Sequence, residues 1–180
     1  FMTTGEKIKY FRNMRGISQE TLGQLSGINS ATIKKYEYGI RNPKPDQLLK
    51  IANALGISIN IFMDFDIETV SDVLSLLFKL DDQIDMKFEA DKDDEGNFKP
   101  ATVKLSFKNN LINKKLCTYM KALEIRENML KAKDDYSEEE YADSLQHINE
   151  NIEEIKQHLL DDNMVVKKGT DRLTVKNYPN

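Results

Sequence analysis

The first sixty residues place apolar side chains at helical spacing, in short runs that end at glycines. Capping residues before such runs and glycines after them predict short helices around one core. The predicted helices, given with their capping residues, cover residues 3–16, 18–27, 29–39 and 46–56, and the apolar segment 57–62 packs as a fifth. Pro43 and Pro45 exclude a helix in the loop before the fourth. With Met2 as the expected natural start, we predict a five-helix domain over residues 2–65.

Beyond residue 65 the pattern is helical at first and then alternates. Apolar residues at helical spacing predict a connecting helix within residues 66–82; they are Val70, Val73, Leu74, Leu77 and Leu80. Apolar and polar residues then alternate over 84–89 and again over 103–108, on either side of the polar turn 91–97. This alternation predicts a β-hairpin with one buried face.

Two long helices are predicted at the C-terminal end, over about residues 111–133 and 137–159. From Tyr141 to Leu159, apolar residues recur at alternating steps of four and three, as in a coiled-coil seam that needs a partner. The short connection 134–136 favours packing against the preceding helix, and contact with a second chain is the alternative. The expected fold is mainly α with a small β-hairpin: the N-terminal five-helix domain, the connecting helix, and an α+β domain over residues 83–180 with two long helices.

The charge changes sign along the chain, whose net formal charge is −4. Residues 1–60 carry nine Lys and Arg against four Asp and Glu, whereas residues 61–180 carry seventeen against twenty-six. The average therefore conceals a basic N-terminal module, which is typical of a domain that binds nucleic acid.

Several spaced positions of this module agree with one family pattern. They are Ser18-Gln19-Glu20-Thr21-Leu22, Gly27-Ile28-Asn29, Ile33, Tyr36-Glu37-Tyr38-Gly39, Pro43, Leu48 and Ile51-Ala52-Asn53-Ala54-Leu55-Gly56. Over about residues 4–63 the chain resembles the XRE family of helix-turn-helix proteins, which includes Cro and the phage repressors. The resemblance implies that the third helix reads DNA in the major groove, with its N-terminal half toward the bases.

Position by position, the resemblance implies two groups of DNA contacts. The positions at base edges hold Ser30, Ala31 and Lys35, with Thr32 and Lys34 beside them. The positions that grip phosphates hold Gln19, Asn29, Arg41 and Asn42. Ser30 and Ala31 stand where better-known members have longer amide side chains, so specificity is expected to depend more on the lysines, Tyr38 or DNA shape.

Three further side chains of the module have predicted roles. Arg12 and Glu37 are expected to form a structural ion pair that braces the first helix against the third. Two roles remain open for Tyr38: its hydroxyl reaches a phosphate, or its ring covers the Arg41 loop.

The sequence contains no arrangement typical of an active site, so we expect no enzyme, no cofactor and no metal. His147 and His158 are about 16 Å apart along one helix, too far to share an ion. Segment 91–102 has Thr102 where a calcium loop needs its last carboxylate, and is predicted to be a solvated hairpin tip. Cys117 is expected to be a small, buried apolar side chain. A single cysteine excludes an internal disulfide, which favours a location in the reducing cytoplasm. No apolar stretch is long enough to span a membrane.

The expected function is that of a cytoplasmic, sequence-specific transcription regulator that binds double-stranded DNA, acting as a homodimeric repressor at a palindromic operator. Residues 66–180 would dimerise the chain, and within them the domain 83–180 would also sense an effector or protein partner that the sequence does not identify. The alternative is an antitoxin-like interaction module, whose acidic C-terminal region holds a basic toxin while the N-terminal module autoregulates transcription.

Overall fold

The computed structural model describes residues 2–169 and 174–179. Its α-helices are α1 (Thr4–Met14), α2 (Gln19–Ser26), α3 (Ser30–Glu37), α4 (Pro45–Leu55), α5 (Val70–Gln83), α6 (Asn110–Lys131) and α7 (Glu138–Leu160). Strands β1 (Met86–Glu89) and β2 (Lys104–Phe107) and single 3-10 turns at Ile59–Ile61, Pro100–Thr102 and Lys133–Asp135 complete the described elements. None of the described helices has the length and apolar character needed to cross a membrane. The predicted class, mainly α with a small β-hairpin, is confirmed.

The N-terminal domain encloses one core between α1 and Phe62. Helices α1, α2 and α3 begin where their caps predict, and α4 begins at Pro45, one residue before the predicted start. At α1, Thr3 Oγ1 accepts from the Glu6 N–H at 3.3 Å, and a Glu6 carboxylate oxygen accepts from the Thr3 N–H at 2.7 Å. The fifth predicted helix is a one-turn 3-10 helix capped by Ser58. Each large side chain in this core contributes about 1.5–3 kcal/mol by leaving water. The large side chains with no exposed surface are Ile8, Phe11, Leu22, Ile33, Ile51 and Ile57.

Helix α5 follows this domain and is well formed at its N-terminal end. Thr69 and Asp72 form a second capping box, in which the Asp72 carboxylate accepts from the Thr69 N–H at 2.8 Å. None of the fourteen residues of α5 is buried. The predicted connecting helix is therefore present, with its apolar face exposed.

The hairpin has the predicted antiparallel pairing, with Met86 opposite Phe107 and Phe88 opposite Leu105. The expectation of one buried face is wrong beyond the first pair: Met86 is buried, whereas Phe88 is 49% and Leu105 47% exposed. The reason is that the two-stranded sheet meets α6 near one end, where the Phe107 N–H donates to Asn113 Oδ1 at 3.1 Å.

Helices α6 and α7 pack against each other within the chain. Ala122 and Met129 of α6 and Ile152 of α7 are buried. The seam predicted from the sequence thus has an intrachain partner. Cys117 on α6 is exposed, so the expectation of a buried thiol is wrong; it lies on the side of α6 away from this seam.

Polar contacts join the C-terminal end of α7 to the N-terminal domain. Arg15 donates through both terminal nitrogens to the Asp161 carboxylate at 2.6 and 2.8 Å, and through Nε to the Leu55 carbonyl at 2.9 Å. Asn163 Nδ2 donates to the Gly56 carbonyl at 2.7 Å. These bonds hold α1 and the end of α4 against the C-terminal region.

Candidate nucleic-acid interface

Helices α2 and α3 are connected by a tight turn. Ser18 Oγ accepts from the Thr21 N–H at 3.0 Å and begins α2, and Gly27 ends it with a φ of 67°, a conformation that glycine adopts without a Cβ clash. Two residues later, Asn29 Oδ1 accepts from the Ala31 N–H at 2.8 Å and begins α3. The sequence therefore sets both ends of the turn through local caps.

Two glycines let α3 approach its neighbours closely. A Cβ on Gly5 of α1 would stand 2.2 Å from the Tyr36 carbonyl oxygen, and one on Gly23 of α2 would stand 2.7 Å from the Ile28 carbonyl oxygen. Both distances are far inside van der Waals contact, so alanine at either position would push the helices apart. The sequence analysis did not assign these glycines a role, although glycine inside a helical pattern is itself a signal of close packing.

Helix α3 has one buried side and one exposed side. Ile33 and Tyr36 belong to the core, as the helical spacing requires. The exposed residues at and beside the helix are Asn29, Ala31, Lys34, Lys35 and Tyr38, and Ser30 and Thr32 are partly buried. The candidate base-contacting residues named from the sequence therefore lie together along one helix, and both lysines extend into solvent.

A buried carboxylate joins the first three helices behind this surface. Arg12 Nε and Nη2 donate to the two Glu37 oxygens at 2.6 and 2.9 Å, and Gln19 Nε2 donates to Glu37 Oε2 at 2.8 Å. The side chains of Arg12 and Glu37 are 11% and 1% exposed. The hydrogen bonds to Glu37 raise the pKa of Arg12 above its ordinary value. Gln19, assigned to phosphate contact from the sequence, thus has one N–H engaged inside the protein.

The loop after α3 borders a cleft of about 400 Å³. Polar side chains that line it are Asn29, Thr32, Arg41, Lys44, Asp46 and Gln47. Arg41 and Asn42 are exposed, as is Lys44, which the sequence analysis did not single out. The predicted basic loop before the fourth helix indicated this exposure, but the loop is one residue shorter than expected: α4 begins at Pro45, and Lys44 is its N-cap residue. Proline is tolerated at the first position of a helix, where its missing N–H would have no partner within the helix. This cleft places two cations beside the N-terminal end of α3.

Tyr38 caps the C-terminal end of α3 and is 63% exposed. Either predicted role, phosphate contact or cover for the Arg41 loop, remains open to it. Within residues 2–169 and 174–179, no three His, Cys, Asp or Glu side chains are grouped so that they could hold a metal ion.

Comparison with known proteins relates this surface to one family. Residues 8–62 match the model of the helix-turn-helix family HTH_3. An uncharacterized HTH-type transcriptional regulator of Sinorhizobium medicae is 35% identical over 60 residues, which are 33% of this chain and 43% of the relative. The SPbeta prophage-derived uncharacterized HTH-type transcriptional regulator YonR of Bacillus subtilis is 31% identical over 71 residues, 37% of this chain and 66% of the relative. The matched segment thus spans less than half of the first relative's length.

Solved structures similar to part of this chain include a controller protein and a repressor. The restriction-modification controller protein C.AhdI from Aeromonas hydrophila is 35% identical and aligns over 33% of this chain and 91% of its own, with a TM-score of 0.33. The P22 c2 repressor in complex with a synthetic operator is 27% identical and aligns over 37% of this chain and all of its own, with a TM-score of 0.34.

Proposed function

Because residues 8–62 form a helix-turn-helix domain of the XRE type, we propose that this chain is a transcription regulator that binds double-stranded DNA sequence-specifically. The observation that carries the proposal is the exposed face of α3, with Lys34 and Lys35, on a helix held in place by buried contacts. Because α3 is already held in place, it can enter the major groove without a loss of conformational entropy of its own backbone on binding.

The proposed base contacts come from the N-terminal half and the exposed side of α3. Lys35 can donate to the O6 and N7 acceptors of guanine, and Ala31 can contact the methyl group of thymine. Ser30 and Thr32 have hydroxyls that suit either a base or a phosphate. The Arg12–Glu37 ion pair acts through position only, by fixing α3 against α1.

The proposed phosphate contacts flank the reading helix. Only the oxygen of Asn29 takes part in the helix cap, so its amide nitrogen can still donate to a phosphate. Arg41 and Asn42 extend from the loop after α3, and Lys44 lies beside them at the cleft. On the α2 side, Gln19 keeps a second N–H for a phosphate while the first holds Glu37.

We further propose that two copies bind a palindromic operator and repress transcription by occupying it. One short helix contacts few base pairs, and two-fold symmetric half-sites about 10 base pairs apart double the number that is read. Regulation by an effector or a protein partner would act through the C-terminal region, which Arg15 and Asn163 tie to the DNA-binding domain.

Selection of genomic DNA fragments by the purified full-length protein tests the function. We expect enrichment of fragments that share a two-fold symmetric sequence. The same selection with Lys34→Ala and Lys35→Ala combined should lose that enrichment. If the wild-type protein enriches no sequence, the proposal fails.

A further inference from the structure

Helix α5 has an apolar face that no part of the described chain buries. Seven of its fourteen residues are apolar: Val70, Val73, Leu74, Leu76, Leu77, Phe78 and Leu80. At about 100° per residue they occupy an arc of roughly 200°, with Asp81 as the charged residue inside it. Ser71, Asp72, Ser75, Lys79 and Asp82 lie on the opposite side. The helix is amphipathic, yet five of its seven apolar residues are exposed, and the other two, Leu76 and Leu77, are only partly buried.

The exposure of this face is large for individual side chains. Val70 is 75% exposed, Val73 52% and Phe78 57%. A helix of this length is marginal in water unless its apolar face is packed against something. The capping box at Thr69 stabilises one end of the helix, but it does not remove the apolar surface from water. Burial of this apolar face against a partner would stabilise α5 further.

The exposed area matches the requirement of a small dimer interface. From the exposed fractions, the apolar side chains of α5 present on the order of 500 Å² per copy, and Phe65 and Ile67 just before the helix add roughly 200 Å². If pairing covered all of this surface, two copies would bury at most about 1,400 Å², which lies within the range of about 1,200–2,000 Å² for specific interfaces. A patch this size also exceeds the usual largest apolar patch of a monomer, roughly 300–600 Å².

We propose that α5 packs against α5 of a second copy of this chain about a two-fold axis. Val70, Val73, Leu77 and Leu80 repeat at steps of three, four and three, which is the spacing of a helix-pairing seam. About a two-fold axis, both copies use the same seam: if residue i of one copy contacts residue j of the other, then residue j of the first contacts residue i of the second. The face carries a single carboxylate, so pairing requires little charge to be buried.

The other amphipathic seam of the chain is already used. The apolar residues of α7 pack against α6 within the same chain, and Ile152 is 3% exposed at their contact. Dimerisation through α5 therefore leaves the α6–α7 pair intact. This pairing would supply the dimer contact of the proposed function, and its biological role rests on that function. Because α5 directly follows the DNA-binding domain, its pairing would bring two α3 helices to one DNA.

Sedimentation equilibrium of the full-length protein without DNA tests the pairing. We expect the wild-type protein to dimerise with a Kd in the micromolar range. Val73→Glu adds a carboxylate to the proposed interface, and Ser75→Glu adds the same charge to the polar side of the same helix. We expect Val73→Glu to weaken dimerisation about a hundredfold or more, because an unpaired buried charge is costly, and Ser75→Glu to leave it unchanged.

Both substitutions lie at exposed positions of the single chain, so neither removes a core contact of the monomer and the comparison should remain valid. Val70→Glu repeats the test at a second seam position. The inference is overturned if the wild-type protein is monomeric at about 100 μM, or if Val73→Glu and Ser75→Glu dimerise equally. DNA is absent from this assay, so a dimer that enriches no DNA sequence would contradict the proposed function and leave the pairing in place.

Discussion

Arg41 is exposed in the loop after α3, at the cleft beside Lys44, with Asn42 next to it. We expect Arg41→Ala to weaken binding to the operator and to unrelated DNA by similar factors, because a phosphate contact carries no base information. Loss of one phosphate contact should reduce the slope of log affinity against log salt by about one unit. Fluorescence anisotropy titrations of full-length protein at four salt concentrations measure both effects.

Lys9→Ala is the matched control for Arg41→Ala. It removes one positive charge from α1, where Lys9 lines the groove between α1 and α7 instead of the α3 surface. The control should keep the wild-type salt slope. A large loss of preference for the operator in Arg41→Ala, with an unchanged salt slope, would place Arg41 at a base edge and contradict its assignment.

The roles of single residues were predictable where those roles depend on contacts with neighbours in the sequence. The caps at Thr3, Ser18 and Asn29 begin their helices as expected, because each bonds to an N–H two or three residues away. Long-range contacts were not predictable in this way. Leu25 follows the helical spacing of α2 but is 48% exposed, since spacing gives the face of a residue and not the edge of the neighbouring element.

At the scale of elements, the helix-turn-helix depends on one buried carboxylate that joins three helices. Glu37→Ala would leave Arg12 buried without its counter-charge, and we expect a loss of about 3–5 kcal/mol in the free energy of unfolding. Urea denaturation of the full-length protein, followed by circular dichroism, measures the loss.

The double variant Arg12→Leu/Glu37→Leu separates the charge from the packing. It removes both charges and keeps apolar volume at the site, so we expect it to cost less than Glu37→Ala. A double variant as unstable as Glu37→Ala would contradict this role of the Arg12–Glu37 ion pair. A loss below about 1 kcal/mol in Glu37→Ala would contradict it equally.

The elements themselves were largely predictable, and their partners were not. Helical spacing predicted α5 and α7 to within a few residues, because this signal is local. The alternation over β1 and β2 predicted the strands and their pairing, but not that Phe88 and Leu105 would remain exposed. A pattern gives the face that prefers burial; the packing of the rest of the chain decides whether that face is covered.

At the scale of the whole molecule, the Arg15–Asp161 ion pair joins residues 146 positions apart. No pattern in the sequence connects them, because each is an ordinary charged residue at the end of a helix. Their pairing arises from the way α7 docks on α1, which depends on the fold of the entire C-terminal region. The predicted domain boundary between residues 65 and 66 likewise depends on the packing of the whole chain, and it stays a prediction.

This ion pair makes part of the stability depend on pH. The hydrogen bonds from Arg15 hold the pKa of Asp161 below its ordinary value of 3.8. A carboxylate with a lowered pKa in the folded state stabilises the fold above its unfolded pKa, and the stabilisation is lost as the pH falls through the folded pKa. We therefore expect Asp161→Asn to cost on the order of 1 kcal/mol near pH 7, and the cost to shrink as the pH falls below 3.8 toward the lowered pKa of Asp161.

Urea denaturation of the wild-type and Asp161→Asn proteins across this pH range measures the difference between them. Asp64→Asn is the control, since Asp64 is an exposed carboxylate outside the contact between α1 and α7. A cost for Asp161→Asn that is the same at pH 7 and at pH 3 would mean that the charge of Asp161 contributes nothing.

Two copies of α3 are expected to read DNA in the major groove, and protection of DNA from dimethyl sulfate tests this expectation. This reagent methylates guanine at N7, a major-groove acceptor that a lysine can occupy. We expect the full-length protein to protect guanines in two half-sites about 10 base pairs apart, and Lys35→Ala to lose protection at one position in each half-site with a cost of about 1–3 kcal/mol in affinity. Absence of major-groove protection, or a protection pattern identical in wild-type and Lys35→Ala proteins, would contradict this expectation.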